Sequence, residues 1–274
     1  MFKCTKVIAL AMMSFNLLFA AFESHPTSTA NMAFGRINMN FRGNILNIIS
    51  DPSSIVNYNM KGGEAVWGRP FQLKELQQTA FATSFMYKNW GFGASASTFG
   101  NKIYNESMLV FSVAKVVRPR LSLGVNIILY QLKITDYGTA HAPGVSASMR
   151  YNISDHWDWI STVRNINAPN IGASKDELPQ IFSTGFVGKI HKMFTIAAEW
   201  EQDIAYKGAV KFGVAFTPLK QLSLLTGYVS DPGQFTAGIS ININKIYFEY
   251  GTIAYNDLGL FTHQLGIGVN FNRR

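Results

Sequence analysis

Cysteine is almost missing from this chain: Cys4 is the single one. It stands ahead of an apolar run, inside what reads as a targeting segment, so the mature chain is expected to have none. That excludes disulfides, thiol catalysis and cysteine-ligated metal, and it suits an oxidising envelope compartment. Charge is also scarce. Asp, Glu, Lys and Arg make up 15% of the residues, against roughly 25% in an ordinary soluble domain. Beyond the first residues, no run reaches the ~20 apolar residues that a membrane-spanning helix needs. A dense basic run is absent too. The formal charge of +8 is scattered mainly through turns and strand ends, which argues against nucleic acid as a partner. Positive charge at membrane-proximal turns is the plainer account.

What is present is apolar and small. Hydrophobic residues make up 47%, with 23 Gly and 21 Phe. A sheet with one lipid face and one crowded inner face would need that mixture. The chain opens with Lys3 and Lys6 as a positive n-region, Val7 to Ala21 as an apolar h-region, and small residues at Ala20 and Ala21 for cleavage. A signal peptide over 1–21 is therefore expected.

From about residue 80 the sequence alternates with a period of two. Leu121, Leu123, Val125, Ile127 and Leu129 share one face, while Ser122, Gly124 and Asn126 begin the other. Phe235, Ala237, Ile239, Ile241 and Ile243 likewise oppose Thr236, Gly238, Ser240 and Asn242. Repetition of this pattern predicts β-sheet, with thirteen segments legible and a short one at Glu64 to Gly68 completing an even total near fourteen. Alternation alone also fits a soluble sandwich. The polar face decides between them: it is mostly Gly, Ser, Ala, Thr and Asn, where a soluble sheet would show water long Lys, Glu, Gln and Arg. Tiny residues belong inside a small barrel, where side chains converge. The expected fold is all-β, an antiparallel transmembrane β-barrel of about 14 strands over 63–274, with a short helical plug ahead of it and outer-membrane lipid around it.

Two further patterns agree. Trp90, Trp157, Trp159, Trp200, Tyr228, Tyr247, Tyr250 and Phe271 stand near segment ends, where interfacial girdles would lie. Tight links such as Lys88-Asn89 and Asn244-Lys245 alternate with longer ones such as Thr135 to Pro143 and Asn165 to Asp176.

Residues 22–62 break the alternation. Ile45, Ile48 and Ile49 recur at helical spacing, and Asp51-Pro52-Ser53-Ser54 reads as an N-cap followed by Pro at the first helical position. Such an element either plugs the lumen or lies at the periplasmic interface, and Asp51, Pro52 and Asn57 are the plug candidates. Among the strands, Arg164, Glu199, Glu201, Lys211 and Glu249 fall on the inner face as lumen-lining candidates. They could filter solutes, or neutralise one another because unpaired buried charge is costly. The histidines show no triad or metal spacing, so neither catalysis nor a cofactor is expected.

The run Asp51-Pro52-Ser53-Ser54-Ile55-Val56-Asn57-Tyr58-Asn59 resembles the start of fatty-acid-transporter-like outer-membrane barrels, most of all their smaller PorV/PorQ-like branch. Ser97-Thr98-Phe99-Gly100-Asn101, Val163 to Pro169, Glu177-Leu178-Pro179 and the closing Phe261 to Phe271 are similar as well. Where that family usually shows an Asn-Pro-Ala-type triplet, this chain has Asn57-Tyr58-Asn59. The resemblance implies about fourteen strands with both termini periplasmic, in the bacterial outer membrane. It implies either of two functions: passive transport of small hydrophobic molecules, or a structural or secretion-associated barrel that binds a partner protein and transports nothing.

Overall fold

The computed structural model describes residues 21–23, 26–256 and 259–272. The leader expected over 1–21 lies outside these residues, apart from Ala21. The alternating segments form β1 (Gly62–Arg69), β2 (Gln78–Tyr87), β3 (Trp90–Gly100), β4 (Tyr104–Arg118), β5 (Leu121–Ile134), β6 (Gly138–Asn152) and β7 (Trp157–Arg164). After a small hairpin, β8 (Asn170–Ile171) and β9 (Asp176–Glu177), the wall resumes with β10 (Ile181–His191), β11 (Phe194–Asp203), β12 (Ala209–Leu219) and β13 (Leu222–Val229). It ends with β14 (Gln234–Ile243), β15 (Ile246–Tyr255) and β16 (Phe261–Asn270). Every wall strand pairs antiparallel with its neighbours. The barrel closes where β1 meets β16, in a register running from Gly62 opposite Asn270 to Arg69 opposite His263. Closure leaves no unpaired strand edge, which is what lets a sheet sit in lipid.

Alternation sorts the side chains as the sequence predicts. On β5, Ile127 is 62% exposed while its neighbour Ile128 is 2% exposed. Outward positions all round the wall are large and apolar, among them Phe81, Phe111, Phe186, Phe212, Phe235 and Ile267. An apolar surface of this extent is not stable in water, and it identifies the fold as a transmembrane β-barrel with its lipid face outward. Cations sit over aromatic rings at the two rims. Lys88 lies over Tyr87, Lys115 over Trp90 and Lys245 over Phe271 at one end, and Arg69 over Trp67 at the other. Such pairs suit the headgroup level, where an apolar stem and a charged tip are both satisfied.

One end carries the tight turns and the start and finish of the wall; the other carries the remaining connections. Two expectations need correction. The stretch from Thr135 to Pro143 is not a long loop: β5 runs to Ile134 and β6 begins at Gly138. That hairpin extends with exposed Thr139 and His141, so the apolar half of the alternation, by which the strand is read, stops before the strand does. Tyr247 does not belong to the girdle. It is 0% exposed and points into the barrel, where its hydroxyl donates to Glu64 Oε2 at 2.9 Å.

Residues 26–61 run inside the barrel. They form helix α1 (Thr29–Ala33), a 3-10 turn over Ile45–Ile49 and helix α2 (Ser54–Asn57), all nearly fully buried. The first part packs Ala30, Ala33, Phe34, Ile37 and Phe41 against Ile160, Val187, Ala215 and Leu225. The second packs Ile45, Ile48, Ile55 and Met60 against Val66, Ala82, Val110 and Ile128. Each fully buried isoleucine contributes roughly 1.5–3 kcal/mol, so the segment has its own core with the wall. The small inward residues have a definite purpose here. A Cβ on Gly124 would stand 2.4 Å from the Ser53 backbone nitrogen, and one on Gly227 2.2 Å from that of Gly35. These positions are small because another stretch of backbone lies against them.

Candidate functional site

An irregular segment inside a barrel has no strand to pair with, so its backbone N–H groups need other acceptors. Wall carboxylates supply them. Glu249 Oε2 accepts from Ala30 N at 2.9 Å in the first turn of α1, and Glu64 Oε2 accepts from Leu46 N at 2.8 Å in the 3-10 turn. Glu199 Oε2 accepts from Asn38 N at 2.9 Å, and Glu106 Oε1 from Phe22 N at 2.9 Å. The Asn44 side chain bridges Glu249 at 3.0 Å and Glu64 at 3.4 Å. Carboxylates that accept several N–H bonds tolerate burial that would otherwise be costly.

Of the lumen-lining candidates, the structure gathers three. Lys211 Nζ lies 2.6 Å from Glu201 and 3.4 Å from Glu199, and it also donates to the carbonyl of Arg36. Asn38 Nδ2 donates to Glu199 at 3.0 Å and to Ser183 at 2.9 Å. Glu249 stands elsewhere, beside Glu64. Arg164 stands apart from both, half-buried, with no ion pair among the described residues and with Nε and Nη2 unpartnered.

The plug candidates are all in contact with the wall. Asp51 is fully buried, and its Oδ2 pairs with Arg150 Nη2 at 2.6 Å on β6. Its Oδ1 accepts from Ser53 Oγ at 2.6 Å. The expected side-chain N-cap is therefore not made: Ser54 N donates to the Asp51 carbonyl instead. Pro52 lies over Gly124, and Asn57 Oδ1 accepts from Asn152 Nδ2 at 3.1 Å. Three residues of weight escape the sequence reading, Arg150, Glu64 and Glu106. Arg150 bonds Asp51, Asp158 and the Asn40 carbonyl while its guanidinium lies over the Tyr58 ring. Its place on the polar face between Ser148 and Asn152 is the signal that could have found it.

Among the described residues two cavities open at the ends of the barrel. One of about 630 Å³ opens at the long-connection end. Met32 and Arg36 of the lumenal segment form its floor, and its sides include Phe71, Phe99, Ile253 and Tyr255 with Gln78 and Gln264. The other, about 470 Å³, opens at the tight-turn end and is lined by Phe41, Arg42, Tyr58, Lys189, Thr217 and Asn270 among others. They share no lining residue, and the lumenal segment runs between them. Near the first cavity the wall is thin. Ser97, Thr98, Ser107 and Met108 of β3 and β4 line a small inner recess with Glu106 and Tyr130, and the same four line a groove on the outer face. Among the described residues, no three His, Cys, Asp or Glu side chains gather to hold a metal ion.

No family model matches the sequence, and no curated protein matches it. Solved structures do match in fold. The chain is similar to the toluene transporter TbuX of Ralstonia pickettii at 10% identity and a TM-score of 0.65, over 91% of this chain and 98% of that one. It is similar to a FadL homologue of Pseudomonas aeruginosa at 10% identity and a TM-score of 0.66, over 92% and 100%. It is similar to the monoaromatic hydrocarbon channel CymD at 9% identity and a TM-score of 0.65, over 91% and 98%. At such identities the likeness is one of fold.

Proposed function

We propose that this chain is a bacterial outer-membrane barrel that lets small hydrophobic molecules cross passively, without an enzymatic step. The observation that carries the reading is the cavity of about 630 Å³ at the long-connection end. Its size falls within the roughly 300–1,000 Å³ of small-molecule sites, and Phe71, Leu76, Phe99, Ile253 and Tyr255 give it an apolar part beside a polar one that includes Glu23, Arg36 and Glu106. The fold it shares with hydrocarbon channels and a toluene transporter supports the same reading.

The route would not run straight along the axis, because the lumenal segment is tied to the wall on several sides. A molecule in the cavity passes Gln78 and Phe99 to the inner recess, where the paired backbone of β3 and β4, which carries Ser97, Thr98, Ser107 and Met108, must part locally to reach the lipid face. Apolar solutes gain by leaving water at each stage, so diffusion down a gradient suffices. Proteoliposomes test this. Toluene is expected to equilibrate faster than across protein-free liposomes, while a sugar of similar size does not pass. Equal passage of both, or of neither, would overturn the proposal.

One observation favours a second reading: the two cavities are not joined along the axis. In that case the chain is a structural or secretion-associated barrel of the PorV/PorQ-like branch, which binds a partner protein and transports nothing. Absence of toluene flux, together with a stable partner recovered by pull-down, would select it.

A further inference from the structure

Charge is distributed unevenly between the two ends. At the tight-turn end, Lys88, Arg118, Arg120, Lys192, Lys220 and Lys245 are exposed on five of the six hairpin turns, joined by Lys61 where the wall begins. Among the described residues the carboxylates near that rim are Asp155, which is exposed, and Asp158 and Asp51, which are bound to Arg150. The opposite end mixes signs: Glu75, Asp136, Asp176 and Glu177 accompany Lys74, Lys102 and Lys175. The positive charge of the protein is therefore focused on one mouth.

Part of this ring has an ordinary purpose. Lys88 and Lys245, with Lys115 just inside the rim on β4, lie over outward aromatic rings, at headgroup level on the perimeter, where anionic lipid would meet them. Two other cations do not face lipid. Lys189 on β10 is on the inward alternation, opposite Thr195, and lines the cavity of about 470 Å³. It has no ion pair among the described residues and remains exposed to the opening. Arg42, on the lumenal segment, lines the same cavity, held by Ser223 through Nη2 at 3.2 Å and set beside the Phe41 ring. The remaining lining includes Thr195, Thr217, Asn270 and Asn272, with no carboxylate among the described residues. A headgroup on the perimeter cannot reach this axial pocket.

We infer that the tight-turn mouth is a docking site for an acidic polypeptide segment, whose carboxylates enter the vestibule between Arg42 and Lys189 while the rim cations steer it there. The vestibule is preformed, because its inner wall is a segment fixed by buried hydrogen bonds, so little ordering cost falls on the barrel side. Long-range attraction to the ring raises the encounter rate, and the two lining cations set where the chain comes to rest. This inference does not depend on whether hydrophobic molecules cross the membrane.

The test uses the barrel in uncharged detergent micelles and an octapeptide of alternating Glu and Ser carrying an uncharged fluorophore. Fluorescence anisotropy should show saturable binding that weakens with salt, and the Gln-for-Glu version should bind at least about tenfold more weakly. Lys189→Glu should lower affinity about tenfold, while Lys88→Glu on the lipid perimeter changes it less than about twofold. Lys189 is exposed, so its replacement leaves folding intact, which unaltered heat-modifiable gel mobility would verify. The inference is overturned by no saturable binding, or by equal losses from the two substitutions, which would mean diffuse surface charge. Displacement of the peptide by glutarate at matched carboxylate concentration also overturns it, since the vestibule would then be a site for small acids.

Discussion

Replacing Arg150 with Met should free the lumenal segment without opening the wall. Arg150 is fully buried and holds two carboxylates and a carbonyl: Asp51 at 2.6 Å, Asp158 at 2.7 Å, and the Asn40 carbonyl. Asp158 is 17% exposed and can turn to water, but Asp51 is at 0% and cannot. Removing one partner of a buried pair costs about 3–5 kcal/mol, because the other charge is left uncompensated. At about 1.4 kcal/mol per tenfold change, the fraction of molecules with the α2 region detached should rise by between about a hundredfold and several thousandfold. The backbone ladder of β6 is untouched, so the barrel itself should remain closed. Because Cys4 is the only cysteine, a single cysteine at Ile55, itself 0% exposed, can report detachment by its rate of maleimide labelling. Adding Asp51→Asn to Arg150→Met removes the stranded charge, and most of the labelling increase should disappear. An increase below about threefold, or no recovery in the double variant, would show that the pair does not hold the segment.

Other consequences follow from the same geometry. Gly227→Ala places a methyl against the backbone of Gly35, 2.2 Å from its nitrogen, so the turn after α1 must lift; labelling of a cysteine at Ala33 should rise in that variant. Ile267→Arg puts a cation on the lipid face near the middle of β16, at a cost of about 2–4 kcal/mol in urea unfolding from vesicles. The Tyr206 hydroxyl, outside the wall, is pushed up to about 12 chiefly by its hydrogen bond to Glu23, with burial adding to it. The neutral phenol is the form that bonds, so this link is fully present below the ordinary value near 10 and is lost as pH rises through about 12. Ultraviolet titration of Tyr206→Phe against the parent should remove a late-ionising tyrosine, and its persistence would refute the assignment.

How much of this was legible in the sequence depends on what each signal measures. Period-two alternation reports which face meets lipid, and it located six wall strands clearly, because Phe235 and Ile267 must be apolar whatever lies inside; seven less regular segments and the short one at Glu64 to Gly68 completed the count. It weakens where a strand leaves the membrane, which is why the β5–β6 hairpin read as a loop. Lumenal partners were harder to see. Glu199, Glu201 and Lys211 are two residues apart or on adjacent strands, so local pattern pairs them. Asp51 and Arg150 are 99 positions apart, and nothing in either neighbourhood names the other. Tyr247 was misread because position near a turn does not fix a side chain to the outside; only its parity with Glu249 does.

The composition of the inner face also takes on a different meaning with the segment in place. A narrow barrel filled by its own side chains would need small residues all round, and charges there would pair with one another. Here, among the described residues, Lys211 pairs with Glu199 and Glu201, and Arg150 with Asp158, across adjacent strands. Glu64, Glu106 and Glu249 bond N–H groups of the segment instead, and no cation stands within ion-pair distance of them among the described residues. A wall carboxylate that exists to accept a backbone N–H is indifferent to the side chain of the residue that donates it. At those N–H donors the segment can change its side chain and keep its path, while elsewhere Asp51, Asn38, Asn44 and the buried isoleucines hold it through their own side chains. The wall, by contrast, cannot exchange Glu249 for Gln without turning a doubly accepting carboxylate into a group with one acceptor and an amide donor aimed at another donor. The lumen is therefore specified from both sides: wall carboxylates hold the segment's backbone, and Asp51 and the buried isoleucines of the segment hold it to the wall.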